Sequence, residues 1–240
     1  MSGLTVKGLR KSFNNREVIK NVCLYVKKGE VVGLLGPNGA GKTTTFYMLA
    51  GIERPEAGKI AVDNKEITKL RLYKRARLGI AFLPQHRSLF ADLSVKNNIL
   101  AILQLRGLSS EQCRQKARRL LEEYRLLDLS EHRASTLSGG EARRLEIARA
   151  MAMDPSYILL DEPLAGIDPI TVSMVQDLIK RLATRGLGIL ISDHNVRETL
   201  KICHRAYIMN QGEITAEGPV DQLINNELVK KIYIGENFIL

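Results

Sequence analysis

The sequence lacks the features that mark secreted, metal-binding or membrane-spanning proteins. It has three cysteines in 240 residues, an odd number without the paired spacing of a metal site. The first twenty residues are polar and interrupted by charge, unlike a signal peptide. Every apolar run is far shorter than the ~20 residues that a membrane-spanning helix needs. We therefore expect a soluble cytoplasmic chain with reduced thiols and no direct membrane insertion.

Acidic residues are outnumbered, 26 against 36 basic ones, which gives a formal net charge of +10. Such a surplus is typical of proteins that bind nucleic acid, an anionic membrane surface or phosphate groups. The basic residues are scattered, and they do not alternate with aromatic side chains that could stack on bases. We therefore expect no direct binding of nucleic acid. With 45% hydrophobic residues, the chain can bury a globular core.

Short apolar runs separated by helical patterns predict an α/β protein with a parallel sheet. The N-terminal part reads as short strands joined by turns. A wholly apolar run at 31–35 is typical of a strand buried on both faces, and further apolar runs lie within 78–85, 157–163 and 186–194. Between Gln85 and Asp154 the apolar residues recur every three or four positions, which predicts a helical insertion in this core.

A glycine-rich loop follows the first of these apolar runs and leads into a predicted helix. Its glycines let the backbone turn tightly and point N–H groups at phosphate oxygens, while the lysine reaches the terminal phosphates and Thr43 binds Mg²⁺. The alternative is a strand-helix turn with a chance lysine. The predicted nucleotide-binding residues are Gly36, Pro37, Asn38, Gly39, Ala40, Gly41, Lys42, Thr43 and Thr44.

Polar residues end two other apolar runs. Asp161 and Glu162 lie at the end of the apolar run in "ILLDEP". Two adjacent carboxylates at the end of a buried strand are costly unless they bind a cation or take part in proton transfer. Asp161 suits Mg²⁺, either as a direct ligand or by acting through another ligand, and Glu162 suits a general base that orients and deprotonates the attacking water. His194 ends "LISDH", at the sheet edge where open α/β sheets bind ligands, and it suits a donor to the terminal phosphate. Alternatively, the acids form a solvent-facing strand end and the histidine is structural.

The stretch "LSGGE" at 137–141 opens another predicted helix. Ser138 and Glu141 have the spacing of a capping box, which is the structural alternative. Gly139 and Gly140 need another reason, because glycine inside a helix costs about 1 kcal/mol relative to alanine. We interpret them as a close backbone approach to a γ-phosphate at the helix N-terminus.

These motifs, in this order, resemble the ATP-binding cassette (ABC) ATPases over nearly the whole chain. The resemblance implies a phosphate-loop core with a parallel sheet, an N-terminal antiparallel β subdomain and an inserted helical subdomain. It implies one domain, with the core at about 1–85 and 155–240 and the helical part at about 86–154. It also implies a head-to-tail dimer, either a homodimer or a heterodimer with a similar subunit, in which "LSGGE" of one copy closes on ATP and Mg²⁺ held by the other.

The resemblance assigns roles to three further residues. Phe13 corresponds to an aromatic that stacks on adenine, Gln85 to a glutamine that touches Mg²⁺ and couples to the partner, and Asp168 to an aspartate that communicates across the dimer. The chain departs from the family pattern at Glu141, commonly glutamine, at Phe13, commonly tyrosine, and in "AGID". The first two changes keep the capping and stacking chemistry, whereas the third puts the cross-dimer contact in doubt.

Within this family, several stretches resemble the ATPase subunits of lipopolysaccharide exporters, which act on polytopic inner-membrane partners from the cytoplasmic face. They include "SLFADLSVKNNI", "LISDHNVRETL" and the tail "IYIGENFIL". The alternative is an ATPase of branched-chain amino acid importers. A cassette ATPase outside transport is disfavoured because there is no second cassette or long coiled-coil insertion. A phosphate-loop kinase or GTPase is disfavoured by "LSGGE".

The segment from Gln85 to about Arg106 is predicted to form much of the groove for a helix of a membrane partner. Arg87, Leu89 and Phe90 are the candidates, because an apolar anchor beside a charge suits a helix-in-groove contact. The alternative is that Leu89 and Phe90 pack inside the helical insertion.

Overall fold

A computed structural model describes residues 2–86 and 88–230. The strands are β1 Leu4–Phe13, β2 Arg16–Val26, β3 Val31–Leu35, β4 Ala57–Val62, β5 Lys65–Glu66, β6 Ile80–Leu83, β7 Tyr157–Asp161, β8 Gly188–Ser192, β9 Arg205–Asn210 and β10 Glu213–Pro219. The helices are α1 Lys42–Ala50, α2 Leu72–Arg77, α3 Val95–Gln104, α4 Ser110–Glu123, α5 Gly139–Met151, α6 Pro169–Thr184, α7 Val196–Leu200, α8 Val220–Ile224 and α9 Glu227–Val229.

Two sheets organise these elements. A four-stranded antiparallel sheet has the order β2-β1-β4-β5, and a six-stranded sheet has the order β10-β9-β3-β8-β7-β6. In the larger sheet β6, β7, β8, β3 and β9 pair in parallel, and β10 joins β9 as an antiparallel edge. The predicted α/β fold class, with a parallel sheet and an N-terminal antiparallel sheet, is confirmed.

The central strands are buried on both faces, as their continuous apolar runs predict. Along β7, Ile158 and Leu160 pack towards helices α3 to α6, while Tyr157 and Leu159 pack towards α1 and the antiparallel sheet. Successive side chains of a strand point to opposite faces, so one strand contributes to both cores. The carboxyl ends of β3, β7 and β8 consequently carry the loops that hold the predicted site.

The segment between β6 and β7 is helical, as its apolar spacing predicts. Helices α3, α4 and α5 pack on one another and share a hydrophobic cluster with α6. Helix α4 begins at a capping box in which the Ser109 side chain accepts from the Gln112 backbone N–H. No helix within the described residues has both the length and the apolar character needed to cross a bilayer.

One buried arginine holds the C-terminal end of helix α1. Arg75 is 1% exposed, and its guanidinium donates to the carbonyl oxygens of Met48 at 2.6 Å and Leu49 at 2.8 Å. It also donates to Leu70 at 2.8 Å and Thr68 at 2.9 Å. Burial lowers the pKa of Arg75 to about 10, which leaves the side chain charged at neutral pH. The last carbonyls of α1 thus have a cationic partner that satisfies them.

Candidate nucleotide site

The glycine-rich loop joins β3 to α1, as predicted. Gly36, Gly39 and Gly41 have φ values of 150°, 78° and 109°, a region that glycine enters readily. A Cβ at Gly36 would lie 1.9 Å from the backbone oxygen of Met209, so no other residue fits without moving the chain. Gly41 caps α1 without any side-chain hydrogen bond. The first N–H groups of α1 therefore remain available for an anion.

Lys42 lies inside this loop. Its ammonium donates to the carbonyl oxygens of Gly36 at 2.8 Å and Pro37 at 3.0 Å, and the side chain is nearly buried. Burial lowers the pKa of Lys42, while the nearby carboxylates of Glu162 and Asp161 raise it. A cation held among carbonyl oxygens at the mouth of the loop can transfer its donors to phosphate oxygens.

Glu162, Gln85 and His194 meet at the carboxyl edge of the sheet. The Gln85 amide nitrogen donates to Glu162 Oε2 at 2.7 Å, and His194 Nδ1 lies 3.5 Å from the same oxygen. Glu162 adopts φ 50°, which is uncommon for a residue with a side chain, and its N–H donates to Ser192 O at 2.7 Å. This backbone conformation was not foreseen from the sequence.

Asp161 is buried beside this group, and only one of its two carboxylate oxygens accepts a hydrogen bond within the described chain. Oδ1 accepts from the Ser192 hydroxyl at 2.6 Å, and Oδ2 has no hydrogen-bond partner within the described chain. Burial raises the pKa of Asp161, and the hydroxyls of Ser192 and Thr43 oppose that shift. A buried carboxylate oxygen without a donor fits a cation.

These residues fit Mg²⁺ with few protein ligands. Within residues 2–86 and 88–230, no three His, Cys, Asp or Glu side chains gather as a ready-made metal site. Mg²⁺ usually keeps several waters and takes one or two carboxylates together with phosphate oxygens. Thr43 and Asp161 would hold it, and Gln85 would offer its amide oxygen because its nitrogen is committed to Glu162. The ion, when bound, would neutralise charge that develops on the phosphates.

The "LSGGE" stretch begins helix α5, and its capping box is formed. Glu141 accepts from the Ser138 N–H at 2.8 Å and from its hydroxyl at 2.7 Å, and Ser138 accepts in return from the Glu141 N–H. Gly139 lies in the first turn and is half-buried. A Cβ at Gly140 would lie 2.6 Å from Thr171 Cγ2. Helix packing therefore supplies a structural reason for Gly140, and the close approach of a γ-phosphate to both glycines stays a prediction.

Asp168 caps helix α6. One carboxylate oxygen accepts from the N–H groups of Ile170 and Thr171, at 3.1 and 3.0 Å, and the other accepts from the Thr171 hydroxyl at 2.5 Å. These bonds lower the pKa of Asp168. Because Thr171 also packs on Gly140, this cap connects the beginnings of α5 and α6 within one chain.

Phe13 lies at the end of β1 with 42% of its surface exposed. The Lys11 ammonium lies 4.9 Å from the ring centroid. An exposed aromatic beside a cation presents a free edge and face, so its predicted stacking on adenine is sterically possible.

The residues of the predicted partner groove differ in their exposure. Leu89 is half-buried against the cluster of helices α3 to α6, as the packing alternative supposes. Phe90 is 46% exposed, and the Arg149 guanidinium lies 5.3 Å from its ring centroid. Asn98 fixes the Phe90 backbone, accepting its N–H at 2.9 Å and donating to its carbonyl at 3.0 Å. Arg87 and the tail at 232–240 lie outside the described residues.

Sequence reasoning missed a buried polar cluster behind Gln85 and Glu162. Glu146 is 3% exposed and accepts from the Arg143 guanidinium at 2.7 Å and from the Ser88 N–H at 2.8 Å. A cavity of about 230 Å³ separates this pair from Gln85 and Glu162. A charged pair inside the apolar period of a helix was the only available signal, and it did not show which segment the pair contacts.

Comparison with known proteins agrees with this geometry. The family model described as "ABC transporter" matches residues 19–165. The chain is 51% identical to the lipopolysaccharide export system ATP-binding protein LptB of Haemophilus influenzae, over 241 aligned positions and all of both chains. It is 52% identical to the protein of the same name in Escherichia coli K12, also over the full length of both.

Solved cassette structures match the fold. The structure superposes on the ADP conformation of MJ1267, an ATP-binding cassette of an ABC transporter, with a TM-score of 0.88 at 28% identity, covering 98% of this chain and 100% of that one. It also matches the dimeric post-hydrolysis cassette MJ0796 bound to ADP and Pi, with a TM-score of 0.81 at 27% identity, covering 90% and 98%. The chain therefore belongs to the ABC transporter family, as one of its ATP-binding and ATP-hydrolysing subunits.

Proposed function

We propose that this chain is the ATPase subunit that powers lipopolysaccharide export at the cytoplasmic face of the inner membrane. The observation that carries this proposal is the full-length identity of about one half to proteins named for that system in two species. The motion that accompanies ATP binding and hydrolysis would act on polytopic membrane partners. The residues proposed to contact these membrane partners are Arg87, Leu89 and Phe90. Phe90 is exposed beside Arg149.

The proposed chemistry follows from the groups around the phosphate loop. The loop amides of residues 36–44 and Lys42 bind the β- and γ-phosphates, and Phe13 stacks on the adenine. Glu162 orients and deprotonates the attacking water, while Gln85 and His194 hold the Glu162 carboxylate and the γ-phosphate in position. Mg²⁺ held by Thr43, Asp161 and Gln85 would neutralise charge on the phosphates.

The proposed active form is a head-to-tail homodimer. Ser138, Gly139, Gly140 and Glu141 of one copy would face the phosphate loop of the other, and Asp168 would lie near the contact. A cassette solved as a dimer with ADP and Pi, similar in fold to this chain, supports this arrangement. Two anion-binding helix ends, at α1 and α5, then serve one ATP from two sides.

The hydrolysis proposal is tested by Glu162→Gln. We expect turnover to fall at least ~1000-fold, because removing a general base costs roughly that much, while ATP binding and ATP-dependent dimerisation persist. Glu213→Gln removes an exposed acid elsewhere and serves as the control. Phosphate release reports turnover, and light scattering reports the dimer. Hydrolysis at the wild-type rate in Glu162→Gln would exclude Glu162 as the base.

The export proposal is tested by affinity purification of the tagged chain from its own cells in mild detergent. Two related polytopic proteins together with a periplasm-facing protein of one membrane span would support export of lipopolysaccharide. A permease pair with a periplasmic binding protein would move the assignment to amino acid import. Ribosomes or DNA-repair factors without any membrane protein would exclude transport.

A further inference from the structure

A cleft of about 380 Å³ lies between the end of α4, helix α5 and helix α6. Glu123, Tyr124 and Arg125 line it from α4 and the turn that follows, and Arg144 lines it from α5. Helix α6 supplies the opposite wall. None of these residues belongs to the nucleotide site described above, so the cleft is a separate feature of the chain.

Two of the side chains that line this cleft have a buried donor without a partner within the described residues. Tyr124 is 2% exposed, and its hydroxyl makes no hydrogen bond. The Arg144 Nε is also buried without a partner. Burial raises the pKa of Tyr124 well above its ordinary range, so its hydroxyl keeps the proton that it could donate. Leaving a buried donor unsatisfied is unfavourable, and an acceptor supplied by a ligand would remove that penalty.

The cleft is cationic. Four basic side chains and two carboxylates line it, which gives a formal charge of +2, namely Arg125, Arg144, Lys180 and Arg181 against Glu123 and Asp177. Glu123 is already paired with Arg185. Among the described residues no ion pair involves any of the four basic side chains, so their charge is free for an external anion.

We propose that this cleft binds a phosphoryl group. A phosphate monoester carries about two negative charges near neutral pH and three acceptor oxygens, which matches the charge of the cleft and its donors. Guanidinium groups suit such an anion because their planar forks donate in pairs. The hydroxyl of Tyr124 supplies a further donor from the buried side.

Occupancy of the cleft would join the helical segment to the core. Arg144 lies on α5, the helix that Ser138 begins, whereas Lys180 and Arg181 lie on α6, which packs on the sheet. A phosphoryl group that accepts from both helices would restrict their relative movement. The cleft is therefore a point at which an anion can act on α5 without entering the nucleotide site.

Hydrogen exchange of the full chain tests this assignment with inorganic pyrophosphate in the absence of Mg²⁺. We expect saturable slowing of amide exchange, at least threefold, in peptides that cover 119–126 and 174–185. Binding at the phosphate loop appears separately in peptides that cover 36–50. Protection confined to 36–50 would overturn the proposal.

Matched variants separate the cleft from general charge. In Arg181→Gln, we expect the pyrophosphate concentration that gives half-maximal protection of 174–185 to rise at least tenfold. In Tyr124→Phe, we expect it to rise several-fold. Arg118→Gln removes the same charge from an exposed position on α4 and is expected to leave it unchanged. An equal loss in Arg118→Gln and Arg181→Gln would show nonspecific attraction and contradict the proposal.

A second arm identifies the source of the phosphoryl group. Vesicles that contain phosphatidic acid, whose headgroup is a phosphate monoester, replace pyrophosphate, with phosphatidylcholine vesicles as the neutral control. Protection of 119–126 and 174–185 by phosphatidic acid alone assigns the cleft to a lipid headgroup, and protection by pyrophosphate assigns it to a free anion. Protection by neither excludes the phosphoryl site.

Discussion

The beginnings of α1 and α5 are two glycine-rich helix ends that differ in one respect. At α1 the capping residue Gly41 offers no side chain, so the first amides face outwards. At α5 Ser138 and Glu141 satisfy each other within the chain. The first end is open to an anion, whereas the second is closed by its own carboxylate. A γ-phosphate that approaches α5 has to compete with Glu141 for the Ser138 hydroxyl.

The largest effect is expected at the open end, for Gly36→Ala. The added Cβ would lie 1.9 Å from the Met209 backbone oxygen, so the chain must move or unfold. We expect a loss of about 4 kcal/mol or more in the free energy of unfolding, measured in urea. Gly39→Ala is the control, since nothing lies within 4 Å of its Cβ and only the strain of φ 78°, about 1–2 kcal/mol, remains. Equal losses would show that the close approach is unimportant.

Lys42→Ala tests whether the open end binds ATP through its cation. We expect the Kd for ATP to rise about 100-fold, which corresponds to about 2.7 kcal/mol for a lost charge-assisted hydrogen bond. Isothermal titration calorimetry measures it. Lys20→Ala, an exposed lysine on β2, is the control. An unaltered Kd in Lys42→Ala would remove the phosphate-loop assignment.

At the closed end, Gly140→Ala tests helix packing. Its Cβ would meet Thr171, a stiff side chain that Asp168 holds by a hydrogen bond, so we expect a loss of about 1–3 kcal/mol in unfolding free energy. Thr171→Ala in the same chain should recover part of that loss. A double-mutant cycle measures the coupling, and a coupling near zero would contradict the packing explanation.

Ser138→Ala removes the cap of α5 and should cost about 1 kcal/mol in unfolding free energy. Ser135→Ala, three residues earlier at an exposed position, is the control. If both variants have the same free energy of unfolding, the capping box at Ser138 contributes nothing measurable to stability.

The smallest effect is a pH dependence carried by Glu141. Hydrogen bonds from Ser138 lower the pKa of Glu141 below its ordinary value. Its contribution to stability is therefore complete above the ordinary glutamate pKa and is lost as the pH falls through the lowered value in the folded chain. Glu141→Gln should flatten the fall of unfolding free energy between pH 6 and pH 3. An unchanged slope would show that the carboxylate adds no charge-dependent stability.

Local features of both helix ends could be predicted from the sequence. The loop glycines and the Ser138–Glu141 spacing depend on residues a few positions apart, so spacing and propensity suffice. Gln85, Glu162 and His194 each follow a buried parallel strand, so the sequence predicts that they lie at the same edge of the sheet. It does not predict the contacts among them.

Contacts across the chain could not be predicted. Gly140 faces Thr171 because the first turns of α5 and α6 lie side by side, and nothing in either segment specifies that contact. The left-handed backbone of Glu162 is likewise imposed by its surroundings, including the bond to Ser192 O, rather than by its own preference. The charged pair of Arg143 and Glu146 falls within the apolar period of α5, but the sequence does not show that it packs against the segment at Ser88.

Arg75 has a consequence for how the phosphate loop receives its ligand. The guanidinium joins the last carbonyl oxygens of α1 to those of Thr68 and Leu70 in the segment that follows, so these contacts hold the C-terminal end of the helix without any contribution from the nucleotide. The receptor is preorganised, so little conformational entropy is lost when ATP arrives.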